Sequence, residues 1–199
     1  MPKKTKATKA TKTPKATRAT KKRRYIALLR AINVGGHTVK MERLAQLFEE
    51  IGLKNVETFI ASGNVIFESA SNDADALERK VATHLEKSLG YAVATFIRTD
   101  ADLARIAAYP AFRDRGEHSV YIAFLGARPS KESEARLLKH RTQLDDFHVH
   151  EREAYWLCRT RMSDSEFFKV GIDKALGMSA TVRNSTTVAK LAEKYPCET

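Results

Sequence analysis

The chain has 199 residues, a formal net charge of +11 and an isoelectric point near 9.7. Hydrophobic residues make up 43% and charged residues 30%, a globular balance, and no apolar run is long enough to span a bilayer, so a helical membrane protein is excluded. All of the surplus charge lies in the first 24 residues, where Lys3, Lys4, Lys6, Lys9, Lys12, Lys15, Arg18, Lys21, Lys22, Arg23 and Arg24 stand without a single acid. The remaining 24 Lys and Arg match 24 Asp and Glu, so residues 25–199 are formally neutral and the high isoelectric point describes a tail.

In chain order, that tail comes first: MPKKTKATKATKTPKATRATKKRR. It has too little apolar surface to offset the entropy of ordering, so residues 1–24 are expected to be disordered. Like-charge blocks act as arms on polyanions. The composition resembles the Lys/Ala/Thr/Pro tails of linker-histone-like proteins, which implies DNA or RNA contact without sequence readout. No apolar segment follows the charges, which argues against a secretory signal. Cys158 and Cys197 have no CxxC or metal spacing and suit a reducing compartment, so the expected setting is cytoplasmic and nucleoid-associated.

The periods then alternate between strand and helix. YIALLR (25–30) reads as a strand and INVGGHT as a loop. A helix begins near Met41, with Leu44, Leu47, Phe48 and Ile51 on one face, and Gly52 stops it. VETFIA and NVIFES are strands joined by a tight Ser62-Gly63-Asn64 turn. Residues 74–89 form a helix carrying Leu77, Val81, Leu85 and Leu89, and AVATFIRT (92–99) is a fourth strand.

A short helix at 100–108 leads to a strand at 119–125 (SVYIAFL) and a helix at 130–143. A hairpin of DFHVHER and AYWLCR follows, then one continuous helix at 163–176, a strand at 180–183 and a last helix at 186–194. The order β-α-β-β-α-β occurs twice. The fold class is therefore α+β, with two tandem ferredoxin-like units over 25–99 and 119–199 joined by 100–118 and packed into one body.

Ile26 to Leu29 and Val120 to Leu125 are apolar on both strand faces. In a lone sheet of this kind one face meets water, so both faces must here be covered, either by each other or by a second subunit. A homodimer stays open on that ground. The same pattern disfavours an exposed aromatic sheet that stacks RNA bases.

Two clusters are candidates for binding a small anion. The topology brings the loop Asn33-Val34-Gly35-Gly36 to the turn Ser62-Gly63-Asn64, with Arg30 beside them and Lys40 before a helix whose N–H groups favour an anion. The second cluster is Arg183 and Asn184 with Lys190, where Ser185 or Thr186 can cap the last helix and Arg183 can hold a phosphate or carboxylate. Neither cluster is a Walker loop or a dinucleotide fingerprint, and no cofactor is expected. His148 and His150 alternate on a strand without further ligands at metal spacing, and read as a solvated strand face. No Ser/His/Asp order, carboxylate pair or HExxH is present, so an enzyme, a binding protein and a structural protein all stay open.

RYIALLRAINVGGHTVKMERLAQLFEEIGLKNVETFIASGNVIF and the closing ALGMSATVRNSTTVAKL resemble the bacterial family known as domain of unknown function 1697, over about residues 24–195. The resemblance implies a compact α+β protein and brings no reaction, cofactor or catalytic residue. Two positions depart from the family pattern. Ala31 stands where LRGINVGG has Gly, a change that costs roughly a kcal/mol or more at positive φ. Ser185 stands where RNW has Trp, which removes a large apolar surface.

Overall fold

A computed structural model of the chain describes residues 22–197, apart from Ala31, Val34, Gly35, His37, Ser62 and Arg113. Its first half runs β1 (Arg23–Leu29), α1 (Met41–Glu50), β2 (Lys54–Phe59), β3 (Asn64–Ser69), α2 (Ala74–Leu89), β4 (Thr95–Thr99) and α3 (Asp100–Ala108). The second half runs β5 (Ser119–Leu125), α4 (Lys131–Leu138), β6 (Asp145–His150), β7 (Glu153–Cys158), a single 3-10 turn at Met162–Asp164, α5 (Glu166–Val170), α6 (Ile172–Leu176), β8 (Ala180–Asn184) and α7 (Ser185–Lys194). The strands form two four-stranded sheets, ordered β2-β3-β1-β4 and β6-β7-β5-β8, and every neighbouring pair is antiparallel.

Local chemistry sets several boundaries away from the periodicity. β1 starts at Arg23, so Arg23 and Arg24, grouped above with the tail, belong to the folded body. They lie opposite Ser69 and Glu68, and Arg24 Nη1 donates to Pro196 O at 3.0 Å. Lys22 is exposed, and the other tail cations, Lys3 to Lys21, lie outside the described residues. β2 ends at Phe59 because Ile60 takes φ 51°, a left-handed conformation that a β-branched residue rarely adopts and that cannot continue a strand. α4 stops at Leu138, short of the expected 143. Thr142 accepts from the N–H groups of Leu144 and Asp145 and turns the chain into β6.

The expected continuous helix over 163–176 is broken into two five-residue pieces. Gly171 sits between them at φ 79° and ψ 141°, outside helical space. Ser165 caps α5 by accepting from Phe167 N. The last helix is capped by Asn184, whose side chain accepts from Thr186 N, rather than by Ser185 or Thr186.

Strand alternation divides the interior into three apolar cores. Tyr25, Ala27 and Leu29 turn outward to α1 and α2, joined by Leu44, Phe48, Phe67 and Val81. Ile26, Leu28 and Phe96 turn inward and meet Ile122, Phe124, Tyr155 and Leu157 of the second sheet, with α3 and α7 closing the sides through Leu103, Val188 and Leu191. Ala123, Leu125, Trp156 and Cys158 face α4, α5 and α6. The two-sided apolar strands are thus covered within one chain, and their burial requires no second subunit.

Two arginines clamp the sheets together in matching positions. Arg98 of β4 lies opposite Ile26, and Arg183 of β8 lies opposite Ile122. Arg98 donates to Glu153 Oε1 (2.8 Å), Ile97 O (2.9 Å), Leu125 O (2.8 Å) and Arg152 O (3.3 Å). Arg183 repeats the set with Asn64 Oδ1 (2.7 Å), Val182 O (2.9 Å), Leu29 O (2.9 Å) and Gly63 O (3.4 Å). Each strand-end carbonyl of one half is therefore held by an arginine of the other.

Candidate functional site

A cleft of about 910 Å³ opens where the end of β1 meets β8, α5 and α6. One wall is Leu29, Arg30, Ile32 and Asn33 with Ile60 and Ala61 of the β2–β3 turn. The floor is the outer face of the second sheet, Tyr121, Trp156 and Val182, and the far wall is Phe167, Phe168, Ile172 and Asp173. The opening follows from the broken helix. In the first half, the sixteen-residue α2 packs along β4, whereas neither α5 nor α6 makes a comparable contact with β8.

The floor is rigid. Phe147 stacks on Trp156, Tyr121 packs on it at a tilt of 37°, and Phe167 meets its ring edge-on at 5.2 Å. Trp156 Nε1–H donates to Asp145 Oδ1 at 2.7 Å, and Ser165 Oγ donates to the same buried carboxylate. The rim, by contrast, shows apolar surface to solvent: Ile60 is 52% exposed and Phe168 49%. Large exposed apolar side chains gathered at one mouth mark a contact surface more strongly than scattered ones do.

Of the residues expected from sequence, Arg30, Asn33, Arg183 and Asn184 line this one cleft. Arg30 Nη2 donates to Asp173 Oδ2 at 2.6 Å and so links the two walls. Burial pushes the Asp173 carboxyl up, but the hydrogen bond and charge of Arg30 outweigh it and hold the group below its ordinary value. Asn33 accepts from Val39 N (2.7 Å) and donates to Ala61 O (3.2 Å), which ties the β1–α1 loop to the β2–β3 turn. Burial draws the Arg183 guanidinium down to about 10, still charged at neutral pH.

Gly63 and Asn64 stand behind the cleft as acceptors for Arg183. A Cβ on Gly63 would lie 2.7 Å from Ile32 Cγ2, and its φ of 74° suits glycine. Gly36 and Lys40 do not line the cleft; Lys40 is the exposed N-cap of α1 and makes no side-chain cap bond. Gly35 and Ser62 lie outside the described residues. Sequence reasoning missed Tyr121, Trp156, Phe168 and Asp173. The signal that exposes them is Gly171, an isolated glycine inside a helical pattern.

Ser185 and Ala31 mark the departures from the family pattern. Ser185 borders a different hollow, of about 410 Å³, beside Tyr109, Phe112 and Tyr155. Ala31 lies outside the described residues.

His148 and His150 are not a solvated face. Tyr109 stacks on His150 at 4.1 Å, and its hydroxyl pairs with His148 Nε2 at 2.8 Å. Burial, then the neighbouring His150, holds His148 below its ordinary 6.5. Folding therefore disfavours its proton, and its contribution to stability is present above 6.5 and lost as pH falls through the lower folded value. Urea unfolding at a series of pH values should show this decline in the native chain. In His148→Gln the decline should flatten below pH 6.5; an unchanged slope would assign it to other groups. Among the described residues no group of three or more His, Cys, Asp or Glu is placed to hold a metal ion. Cys158 is buried, with its thiol pushed up by burial. No helix of the described residues is long and apolar enough to cross a membrane.

No curated protein matches this chain. The conserved bacterial protein SP0830 from Streptococcus pneumoniae has a similar structure, with a TM-score of 0.70 at 22% identity over 86% of this chain and 98% of that one. At that identity the likeness speaks for the fold alone. A family model described as protein of unknown function (DUF1697) matches residues 23–155, which takes in both sides of the β1–α1 loop but ends before the closing motif at β8 and α7. On that match over two thirds of its length, the chain belongs to the DUF1697 family.

Proposed function

We propose that the cleft binds a small organic anion with an apolar or aromatic body. The observation that carries this reading is the meeting of Arg30, Asn33, Arg183 and Asn184 around one cavity floored by Tyr121 and Trp156. Concave, mostly apolar sites with a few convergent polar groups are the usual form of a small-molecule pocket. The first turn of α7, beside Asn184 and Thr187, adds a positive dipole end to the same cleft.

Trp156 is the chain's single tryptophan and lines the cleft, so its emission reports occupancy directly. Titration with nucleotides, phosphorylated metabolites and organic acids should give a saturable emission change together with a rise in melting temperature. At a hundredfold excess over the dissociation constant the stabilisation is about 2.7 kcal/mol. Arg30→Ala should weaken binding several-fold; the same affinity in Arg30→Ala and Tyr121→Ala would place the ligand elsewhere.

The halves are best read as ferredoxin-like units over 25–99 and 119–199 joined through 100–118, since each sheet draws its strands from one half only. A second function is favoured by the charge distribution: a cationic arm that holds a neutral body near DNA or RNA. Retention on nucleic acid should fall with salt, with a log–log slope no steeper than about −7 for the eight cations of residues 1–21. Removing residues 1–21 should abolish retention and leave the body folded. Equal retention by the shortened chain would discard the arm.

A further inference from the structure

The molecule carries its own example of what the cleft is built to hold. In the first half, Glu78 of α2 places its carboxylate on the free edge of β4. Its Oε1 accepts from Ile97 N at 2.7 Å and lies 3.7 Å from Arg98 Nη1. The second half repeats the edge. Leu125 N donates to Arg152 O, so on β5 it is Ile122 and Phe124 that bond to β8 through their partners Arg183 and Thr181. Val182, between them, turns both peptide groups to the open side. Val182 O accepts from Arg183 Nη1 at 2.9 Å, as Ile97 O does from Arg98 Nη1.

Val182 N–H and Ile97 N–H are thus matched groups, each beside a matched buried arginine. The difference is what faces them. At Ile97 a helix delivers a carboxylate; at Val182 the helix is broken at Gly171, and the cleft takes its place. No described residue supplies an acceptor for Val182 N–H.

We propose that the β8 edge at Val182, beside Arg183, is the anchor of the cleft. It takes the carboxylate of a small organic acid whose apolar body lies on Tyr121, Trp156 and Phe168. This rests on the cleft-binding reading above and names the ligand class for it. A carboxylate fits better than a phosphate because the edge offers one peptide donor, and with Arg30 paired to Asp173 the cleft keeps one net positive charge, that of Arg183, which suits a monoanion.

The test is amide NMR of the full chain titrated with indole-3-acetate and phenylacetate, each against its carboxamide, with phenyl phosphate as a third arm. The Val182 amide proton should move downfield among the largest shifts. The carboxamides should bind about tenfold more weakly or worse, as expected for loss of a charge-assisted hydrogen bond. Val182→Pro removes the donor at an edge position that makes no ladder bond, and should erase the preference for acid over amide. If that variant does not fold, the titration of the native chain decides alone. Acid and amide binding alike, a still Val182 amide while other cleft amides move, or tighter binding of phenyl phosphate would each overturn the carboxylate anchor and leave the cleft reading standing. No shift of any cleft amide with any probe would remove both.

Discussion

Glu153→Ala should destabilise the fold by about 3–5 kcal/mol, the range for stripping one partner from a buried ion pair. Arg98 and Glu153 have side-chain exposures of 1% and 4%, and their 2.8 Å bond joins the two sheets at the centre of the molecule. After truncation the guanidinium keeps its carbonyl acceptors on Ile97 and Leu125. It also keeps Glu78, but at 3.7 Å, too long for a direct hydrogen bond. The cost is therefore mainly that of a desolvated cation whose closest anion has gone. Glu153→Gln retains an acceptor of the same shape and should lose less. The double replacement Arg98→Met with Glu153→Leu removes both charges of the pair but leaves Leu125 O without this donor and Glu78 without its cation, so it should recover only part of the loss. Urea unfolding of the four proteins at pH 7 gives these differences as midpoints at constant slope. A loss below about 1 kcal/mol in Glu153→Ala would mean that water reaches Arg98 and that the clamp is electrostatically weak.

Trp156→Ala should cost about 3–5 kcal/mol, as large aromatic truncations in packed cores do. Trp156 is 4% exposed, it packs against Tyr121, Phe147 and Phe167, and its indole N–H satisfies Asp145. Trp156→Phe separates the two contributions. It keeps most of the ring packing and takes one donor from a carboxylate that Ser165 still serves, so its loss should be clearly smaller. Far-ultraviolet circular dichroism is the readout, because the variants lack the chain's one tryptophan. The same truncation should abolish ligand binding in the cleft even where the protein stays folded. Retained binding in a folded Trp156→Ala would show that the ring supports the sheet and does not form the floor of the site.

Much of the fold was legible because its strands and helices alternate cleanly and most of their caps and turns are local. Leu44, Leu47 and Phe48 recur at helical spacing and are buried on α1 as that spacing requires. Asp73 caps α2 and Gly90 ends it at φ 81°, both readable from neighbours in the chain. The two-sided apolar run of β5 correctly required cover on both faces. Which partner provides the cover is not a local property, and here it is the other sheet of the same chain.

The candidate site was half legible for the same reason. Asn33 and the β2–β3 turn meet through a topology that strand order already implies, and the bonds from Asn33 to Val39 and Ala61 realise it. Arg183, a promising surface cation in the sequence, is instead a buried clamp whose guanidinium also borders the cleft. Its equivalence to Arg98 involves residues 85 positions apart with little similarity around them, and only sheet register reveals it.

The sequence alone determined the charge division, the order of elements and the family, since these depend on composition, short-range periodicity and motif. Tertiary structure decided where β1 begins, which arginine is buried, and that Gly171 leaves the β8 edge open above Tyr121 and Trp156. Those outcomes depend on pairing between distant segments, where burial and hydrogen bonding across the chain outweigh the preference of any single residue.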